Sequence, residues 1–244
     1  MAKYKEVLCE DGSYTAYSKE YDEHYHSTKD GALKESLYKH VIPAFSVVHK
    51  SEVHILDICY GLGFNTLTTL LYYREHRPET KLFIYSPELD DALVASLENF
   101  TYPPEFAIFK EIILALSRVG VYEDEQIYIE VFLGDAREYV RRFENRFDIV
   151  YQDAFSPSVN PALWTQEYFK DIKVAMKEDG VLTTYSIALK TRMALHENGF
   201  LVYLNEGKNF RGATIAAFKE LENFTFVNIA HKISCNPDVI SLRD

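Results

Sequence analysis

The sequence predicts an α/β fold built on a doubly wound, mostly parallel sheet. Short apolar runs, of the kind buried on both faces of a parallel sheet, begin near Val53, Lys81, Ile127, Phe147 and Val181, and a helical pattern follows each of them. Strands that alternate with helices in this way are typical of a parallel sheet covered by helices on both faces.

The elements can be assigned in chain order. The strand and helix pairs are VHILDI with TLTTLLYYREH, KLFIYS with LDDALVASLENF, IYIEVFL with AREYVRRF, FDIVYQ with PALWTQEYFKDIKVAMK, and VLTTYSIA with KTRMALHENG. Two further strand-like runs, FLVYLN and ATIAAF, are joined by the short polar segment EGKNFRG without a helix between them. This last pair predicts an antiparallel hairpin at the edge of the sheet.

Three regions lie outside this alternation. Residues 1–52 are interpreted as an N-terminal extension that packs on the core, ending in the amphipathic helical pattern SLYKHVIPAF. Residues 53–219 form the α/β domain, in which 101–126 are a helical insertion too long for an ordinary connection. Residues 220–244 form a tail without an interpretable pattern. Because no linker separates two halves, we expect one domain.

Composition limits the function. Of 244 residues, 47% are hydrophobic and 26% are charged, which is typical of a folded globular chain and excludes intrinsic disorder. The net charge of −11 has the wrong sign for binding nucleic acid by bulk electrostatics, so such a partner needs a local basic face. Residues 188–219, with five Lys or Arg against two Glu, are a candidate for that face.

The cysteine pattern and the lack of long apolar segments predict the cellular compartment. The cysteines are widely spaced, odd in number and without a CxxC pair, which favours free thiols in a reducing compartment. No signal-like core and no apolar run of bilayer-spanning length occurs. We therefore expect a cytoplasmic protein without membrane contact.

Acidic residues follow the predicted strands at the edge where ligands bind in open α/β sheets. Asp57 precedes a turn with Gly61 and Gly63, and Glu88, Asp135 and Asp153 follow the next three strands. A Gly-x-Gly turn also serves structural turns, Glu88 could be a solvated acid or a helix N-terminal charge, and Asp135 could only cap a helix. For Asp153 a functional role is favoured over a structural one, because the string DAFSP followed by the single tryptophan, Trp164, is hard to explain by packing alone.

The sequence gives less support to a phosphate-binding P-loop, a dinucleotide site or a metal site. There is no GxxxxGK[ST] sequence, which excludes a P-loop, and Thr66 stands where a dinucleotide motif has its third glycine. His24 and His26 resemble a metal pair, but no acid or cysteine cluster accompanies them, so we expect no metal site.

The string DAFSPSVNPALWT (153–165) carries a family resemblance, together with YDEHYHSTKDGALKES (21–36), GLGFN, GVLTTYS and MALHENGF. In these segments the chain resembles the methyltransferase domain of the bifunctional tRNA 5-methylaminomethyl-2-thiouridine biosynthesis enzyme and its stand-alone relatives without the FAD oxidoreductase half. The resemblance implies a class I (Rossmann-like) methyltransferase fold with S-adenosyl-L-methionine as cofactor. It covers about three-quarters of the chain.

The resemblance implies roles in the site for Gly61, Gly63, Glu88, Asp135 and Asp153, and the further site residues are expected from their positions and chemistry. We expect the catalytic group at Asp153 and Phe155. The residues expected to bind the cofactor are Asp57, Gly61, Gly63, Asn65, Glu88, Asp135, Ala136 and Asp153. The residues expected to bind substrate are Phe155, Asn160, Trp164, Lys208 and Arg211.

The implied reaction methylates the aminomethyl group of the modified wobble uridine at position 34 of tRNA. The anticodon region would be the partner, and a separate oxidoreductase or aminomethyl-forming complex would act upstream. The chain departs from the family at two places: Cys59 replaces the first glycine of the turn, and a basic stretch is reduced to GKNFRG (207–212).

The chemistry of the residues agrees with this implication. Methyl transfer from a sulfonium mainly requires a nucleophile held at attack distance, and an alkyl amine must first lose a proton. Asp153 could orient the amine and accept its proton, while Phe155 and Trp164 offer π faces to a cation. Three alternatives stay open: an aminopropyltransferase of the spermidine synthase type, an N-methyltransferase for a small amine or protein, and a non-catalytic binding module.

Overall fold

The structure is a computed structural model that describes residues 4–207 and 210–244. Its strands in chain order are β1 (Tyr4–Leu8), β2 (Tyr14–Ser18), β3 (Glu23–His24), β4 (Glu52–Ile58), β5 (Lys81–Glu88), β6 (Val121–Glu123), β7 (Ile127–Leu133), β8 (Phe147–Gln152), β9 (Met176–Thr184), β10 (Leu201–Gly207), β11 (Phe210–Ala217) and β12 (Thr225–Phe226).

The helices surround these strands. They are α1 (Ala32–Glu35), α2 (Ile42–Val47), α3 (Phe64–His76), α4 (Asp91–Ser96), α5 (Lys110–Val119), α6 (Ala136–Val140), α7 (Gln166–Ala175), α8 (Leu189–Glu197) and α9 (Ile229–Cys235). A π-helical segment (Ser36–Val41) joins α1 to α2, and 3-10 turns cover Leu97–Asn99, Pro104–Phe109 and Pro161–Leu163.

The main sheet has the order β12-β10-β11-β9-β8-β4-β5-β7-β6 among the described residues. The central strands β9, β8, β4, β5 and β7 are parallel, whereas β6, β11, β10 and β12 are antiparallel to their neighbours. This confirms the predicted doubly wound, mostly parallel fold. Strand order reverses at β4, because β5 lies on one side of it and β8 on the other, and the carboxyl end of β4 therefore opens into a crevice.

The central strands are buried on both faces, as their continuous apolar sequences predict. All six residues of β8 are buried, and so are six of the seven in β4. Because side chains alternate across a strand, Ile55 and Ile149 enter one apolar cluster while Leu56 and Val150 enter the other. The sheet thus carries a core on each face and presents its polar strand ends at one edge.

The N-terminal residues form a small antiparallel sheet, in the order β1-β2-β3, followed by the helical segments 32–47. Ala16, Val41 and Phe45 from this region share a buried cluster with Leu67 of α3. The region therefore packs against the central sheet through apolar contacts. The domain boundaries at 52 and 219 stay predictions.

Two regions differ from the sequence prediction. The insertion 101–126 is not wholly helical, since Gly120 adopts φ +77° and the chain turns into β6, which pairs with β7. The C-terminal hairpin of β10 and β11 is antiparallel, as predicted, but it is not outermost, because β12 from the tail pairs with β10. The polar segment EGKNFRG is largely strand, as β10 runs to Gly207 and β11 begins at Phe210. None of the described helices combines the length and apolar character that crossing a bilayer requires.

Candidate functional site

A cavity of about 770 Å³ lies at the carboxyl ends of β4, β5, β7 and β8, where strand order reverses. Its volume is within the range of small-molecule and cofactor pockets. One wall is formed by the strand ends, and the opposite wall comes from the N-terminal segment, including Tyr21, Tyr25 and His26. The predicted site residues in the wall are Gly61, Asn65, Glu88, Asp135, Ala136, Asp153, Phe155, Asn160 and Arg211.

The turn after β4 needs glycine at Gly63. This residue precedes α3 with φ +74°, and a Cβ there would lie 2.7 Å from the Tyr60 hydroxyl oxygen. Gly61 also has positive φ, +53°, and a Cβ added to it would lie 3.3 Å from the Tyr25 ring. At both positions a Cβ would press on a tyrosine side chain, which explains the glycines. Gly61 lies in the cavity wall, whereas Gly63 is not among the residues that line it.

Cys59 has the same left-handed conformation, φ +66°, although it is not glycine. This conformation costs an L-residue roughly 1–2 kcal/mol. Burial, together with the negative charge of Glu88, raises the pKa of the Cys59 thiol well above its ordinary value. The thiol in the cavity wall is therefore protonated at neutral pH.

Glu88 ties the end of β5 to the glycine turn. Its Oε2 accepts the backbone N–H of Gly61 at 2.8 Å, and its Oε1 accepts those of Leu89 and Asp90 at 2.9 and 3.0 Å. The carboxylate is thus fixed at the rim of the cavity.

Asp135 caps helix α6. Its Oδ1 accepts the backbone N–H groups of Arg137 and Glu138 at 2.7 and 3.1 Å, which satisfies two unpaired donors of the first turn. Asp135 and Ala136 also line the cavity. The capping function left open by the sequence is therefore present, and it does not remove the residue from the site.

Asp153 lies next to a second carboxylate, and Asn65 bridges the two. Asn65 Nδ2 donates to Asp153 Oδ2 at 2.8 Å and to Asp57 Oδ1 at 3.2 Å. Burial acts to raise the pKa of Asp153, but His40, His26 and the Asn65 hydrogen bond outweigh it and hold this pKa below its ordinary value. Asp153 is consequently a carboxylate at neutral pH.

Asp57 is not in the cavity wall, contrary to its assignment as a direct cofactor ligand. It is 1% exposed and accepts the hydroxyl of Thr66 at 2.9 Å behind Asn65. Burial, reinforced by the charge of Asp153, raises the pKa of Asp57 to about 7. It faces inward because it belongs to β4, whose side chains are buried on both faces, so it supports Asn65 rather than a ligand.

Trp164 also differs from its prediction as a pocket wall. The side chain is fully buried, and its Nε1 donates to the Phe155 carbonyl at 2.8 Å. It therefore holds the loop after β8 in place from behind. Phe155 itself lines the cavity and stacks on Tyr21 with ring centroids 4.5 Å apart, and Tyr25 lies 4.9 Å from it.

The proposed basic face is smaller than the sequence suggests. Arg211 is exposed at the cavity, but Arg192 is buried and donates to Thr214 at 3.0 Å. Lys208 lies outside the described residues.

None of the predicted site residues lies in the N-terminal segment, although this segment contributes side chains to the site. Glu23 accepts the backbone N–H of Ser156 at 3.1 Å, and His40 Nε2 lies 3.4 Å from Asp153 Oδ1. The aromatic segment YDEHYH (21–26) was the available signal for Glu23, and it does not include His40. Its histidines make aromatic contacts: His26 packs on Phe64 and His24 on Tyr17. Across the described ranges, no group of three His, Cys, Asp or Glu is arranged to hold a metal ion.

The cavity residues suit a nucleoside-bearing cofactor with a charged tail. Carboxylates stand at successive strand ends, the glycine turn exposes main chain, and the buried Asn65 Oδ1 has no hydrogen-bond partner among the described residues. A sheet of this order, with a crevice at its strand ends, is the fold of class I S-adenosyl-L-methionine-dependent methyltransferases.

Comparisons with known proteins identify the family. A family described as S-adenosyl-L-methionine-dependent methyltransferase matches residues 108–220. The crystal structure of MnmC2 from Aquifex aeolicus superposes with a TM-score of 0.84 at 32% identity, covering 100% of this chain and 80% of that one. The chain belongs to this methyltransferase family, together with MnmC2.

More distant or longer proteins are also similar. An uncharacterized protein of Methanocaldococcus jannaschii is 32% identical over 86% of this chain and 58% of its own length. The tRNA 5-methylaminomethyl-2-thiouridine biosynthesis bifunctional protein MnmC of Leptospira interrogans is 25% identical over 76% of this chain, which matches only 31% of that protein. Spermidine synthase of Thermotoga maritima, at 17% identity and a TM-score of 0.52, shares the fold alone.

Proposed function

We propose that the protein transfers a methyl group from S-adenosyl-L-methionine to the aminomethyl group of the modified wobble uridine, position 34, of tRNA, giving 5-methylaminomethyl(-2-thio)uridine. The observation that carries the proposal is Asp153, an ionised carboxylate fixed by Asn65 in the cavity wall. Kinship with MnmC2, and the name of the bifunctional Leptospira relative, support tRNA as the substrate.

The cofactor would lie along the strand ends. Glu88 would accept the ribose hydroxyls, and Asp135 with Ala136 would border the adenine. The main chain of the turn shaped by Gly61 and Gly63 would approach the cofactor closely at Gly61. When bound, S-adenosyl-L-methionine supplies the methyl group on a positively charged sulfur. Asn65 Oδ1, buried and without a partner in the described part of the chain, offers an acceptor to a donor group in the cavity.

Asp153 would prepare the substrate amine. A primary ammonium has no lone pair, so it must transfer one proton to a base before it can attack. The carboxylate of Asp153 accepts that proton and keeps the nitrogen oriented, while Phe155 and the stacked Tyr21 present aromatic faces to the cation. The freed lone pair would then form the new nitrogen–carbon bond while the methyl–sulfur bond breaks, and the electron pair of that bond would stay on the sulfur of the departing S-adenosylhomocysteine.

The tRNA would reach the site as an unpaired anticodon base turned into the cavity. Arg211 at the cavity and Lys190, exposed in the first turn of α8, are cations suited to the backbone phosphates. A separate oxidoreductase or aminomethyl-forming complex would make the precursor.

The test is transfer of labelled methyl from S-adenosyl-L-methionine to tRNA that lacks the terminal methyl, compared with fully modified tRNA. Label confined to the undermethylated tRNA is expected, with a loss of about 100-fold or more in Asp153→Asn, the lower range of general-base effects. Asp171→Asn, which alters a surface acid paired with Arg141, is the matched control and should retain activity.

Two results would contradict the proposal. Absence of label with S-adenosylhomocysteine binding intact would indicate a small amine or protein as substrate instead. Polyamine formation from decarboxylated S-adenosylmethionine would indicate an aminopropyltransferase.

A further inference from the structure

His40 is a buried imidazole that contacts the Asp153 carboxylate. It lies in the π-helical segment Ser36–Val41, is 0% exposed, and packs edge-on against Tyr151 with centroids 5.6 Å apart. Its Nδ1 lies 3.0 Å from Thr183 Oγ1 on β9, and its Nε2 lies 3.4 Å from Asp153 Oδ1. π-helical turns are rare and are frequent at functional sites.

The two neighbours of His40 select one tautomer. A threonine hydroxyl can donate or accept, whereas a carboxylate can only accept. If Thr183 donates to Nδ1, the hydrogen is on Nε2 and faces Asp153 Oδ1. The opposite tautomer would direct a ring lone pair at that oxygen. The contacts therefore favour hydrogen on Nε2.

Asp153 is thus contacted on both oxygens. Asn65 Nδ2 donates to Oδ2 at 2.8 Å, and His40 Nε2 faces Oδ1. Packing alone does not account for this imidazole, because an apolar ring would fill the space beside Tyr151 equally well. A buried polar ring costs free energy unless its nitrogens find polar partners. Thr183 is the hydrogen-bond partner of Nδ1, whereas Nε2 makes no hydrogen bond among the described residues and has the Asp153 carboxylate 3.4 Å away as its ion-pair neighbour.

We propose that His40 is a positioning residue that holds the Asp153 carboxylate through Nε2–H in the orientation that receives the substrate amine. Thr183 fixes the imidazole in turn, so the chain Thr183–His40–Asp153 connects β9, the N-terminal segment and the loop after β8. His40 does not itself touch substrate. The inference rests on the proposed role of Asp153 in methyl transfer.

The kinetic test compares His40→Phe with His40→Gln. Phenylalanine keeps a ring and removes both nitrogens, whereas glutamine can place an N–H near the former Nε2. We expect His40→Phe to lower kcat on the order of 100-fold, the effect of a misplaced catalytic group, with little change in KM or in S-adenosylhomocysteine binding. His40→Gln should recover most of the lost kcat.

The control is His54→Gln, which alters another buried histidine at the opposite end of β4. His54 Nε2 pairs with Glu52 at 2.8 Å, away from the cavity. It should leave kcat unchanged. Wild-type kcat in a folded His40→Phe, or an equal loss in His40→Phe and His40→Gln, would overturn the proposal.

A spectroscopic test does not depend on activity, so it separates this inference from the choice of substrate. In protein labelled with ¹⁵N-histidine, His40 should show hydrogen on Nε2, and its Nε2 resonance should shift in Asp153→Asn but not in Asp171→Asn. Hydrogen on Nδ1 alone, with none on Nε2, would refute the positioning role even if methyl transfer to tRNA occurs. Absence of transfer to tRNA in the wild type, with the Nε2–H signature present, would refute only the proposed substrate.

Discussion

The carboxylate of Glu88 accepts the backbone N–H of Gly61 at 2.8 Å and so joins the end of β5 to the turn after β4. Glu88→Ala removes both the acceptor for this turn and the proposed ribose ligand. We expect S-adenosylhomocysteine binding to weaken by at least about tenfold, since a hydrogen bond to a charged group contributes roughly 1.5–3 kcal/mol. Calorimetry measures the change, and Glu98→Ala, which alters a surface acid paired with Arg118, is the control. An unchanged dissociation constant would exclude Glu88 from the cofactor site.

Gly63→Ala should destabilise the protein more than Gly12→Ala. Both glycines have positive φ, +74° and +87°, but only at Gly63 would the new Cβ meet another atom, the Tyr60 hydroxyl at 2.7 Å. Conformational strain of about 1 kcal/mol is common to both substitutions, and steric overlap is added at Gly63. Urea unfolding of the two variants gives the difference. Equal losses would show that Tyr60 moves aside without cost.

Cys59→Gly should be more stable than Cys59→Ala by about 1 kcal/mol, because glycine adopts φ +66° without the strain that alanine retains. Both variants remove the thiol, so the comparison isolates the backbone. Urea unfolding provides the measurement. If Cys59→Ala is the more stable variant, the left-handed conformation at this position is not strained.

Asp57 makes stability depend on pH. Burial raises its pKa from 3.8 to about 7 in the folded protein, so between these values the folded state holds a proton that the unfolded chain has lost. The free energy of unfolding therefore falls as pH rises from about 4 to about 7, by at most on the order of 4 kcal/mol, and is flat above.

Asp57→Asn has no such titration, and we expect it to gain stability relative to the wild type between pH 5 and pH 8. His26 and His54, whose pKa values burial lowers, are present in both proteins. The difference between the two unfolding free energies consequently isolates Asp57. A difference that does not change with pH would mean that Asp57 is ionised throughout.

The central fold could be predicted from the sequence, because β4 and β8 are short, mainly apolar runs and a helical pattern follows each of them, as in buried parallel strands. It could not predict β12 or the pairing of β6. Both are very short strands whose residues are mostly exposed, so their sequences lack an apolar pattern. Their positions depend on a neighbouring edge rather than on their own composition.

The strand-end acids were identifiable because parallel strands bring their carboxyl ends to one edge. The structure nevertheless separates Asp153, in the cavity wall, from Asp57, which is behind it. His40 could not be found from spacing, because a histidine within an amphipathic pattern gives no sign of its partners. Only tertiary packing brings it to Asp153.

The contact between His40 and Thr183 spans 143 positions of the sequence, and that between Glu23 and Ser156 spans 133. A chain emerging from the ribosome therefore contains the glycine turn and Glu88 long before Asp153 and Thr183 are available to the N-terminal segment. During translation the cofactor half of the cavity can form first, while the half that would prepare the amine must wait until β9 has been made.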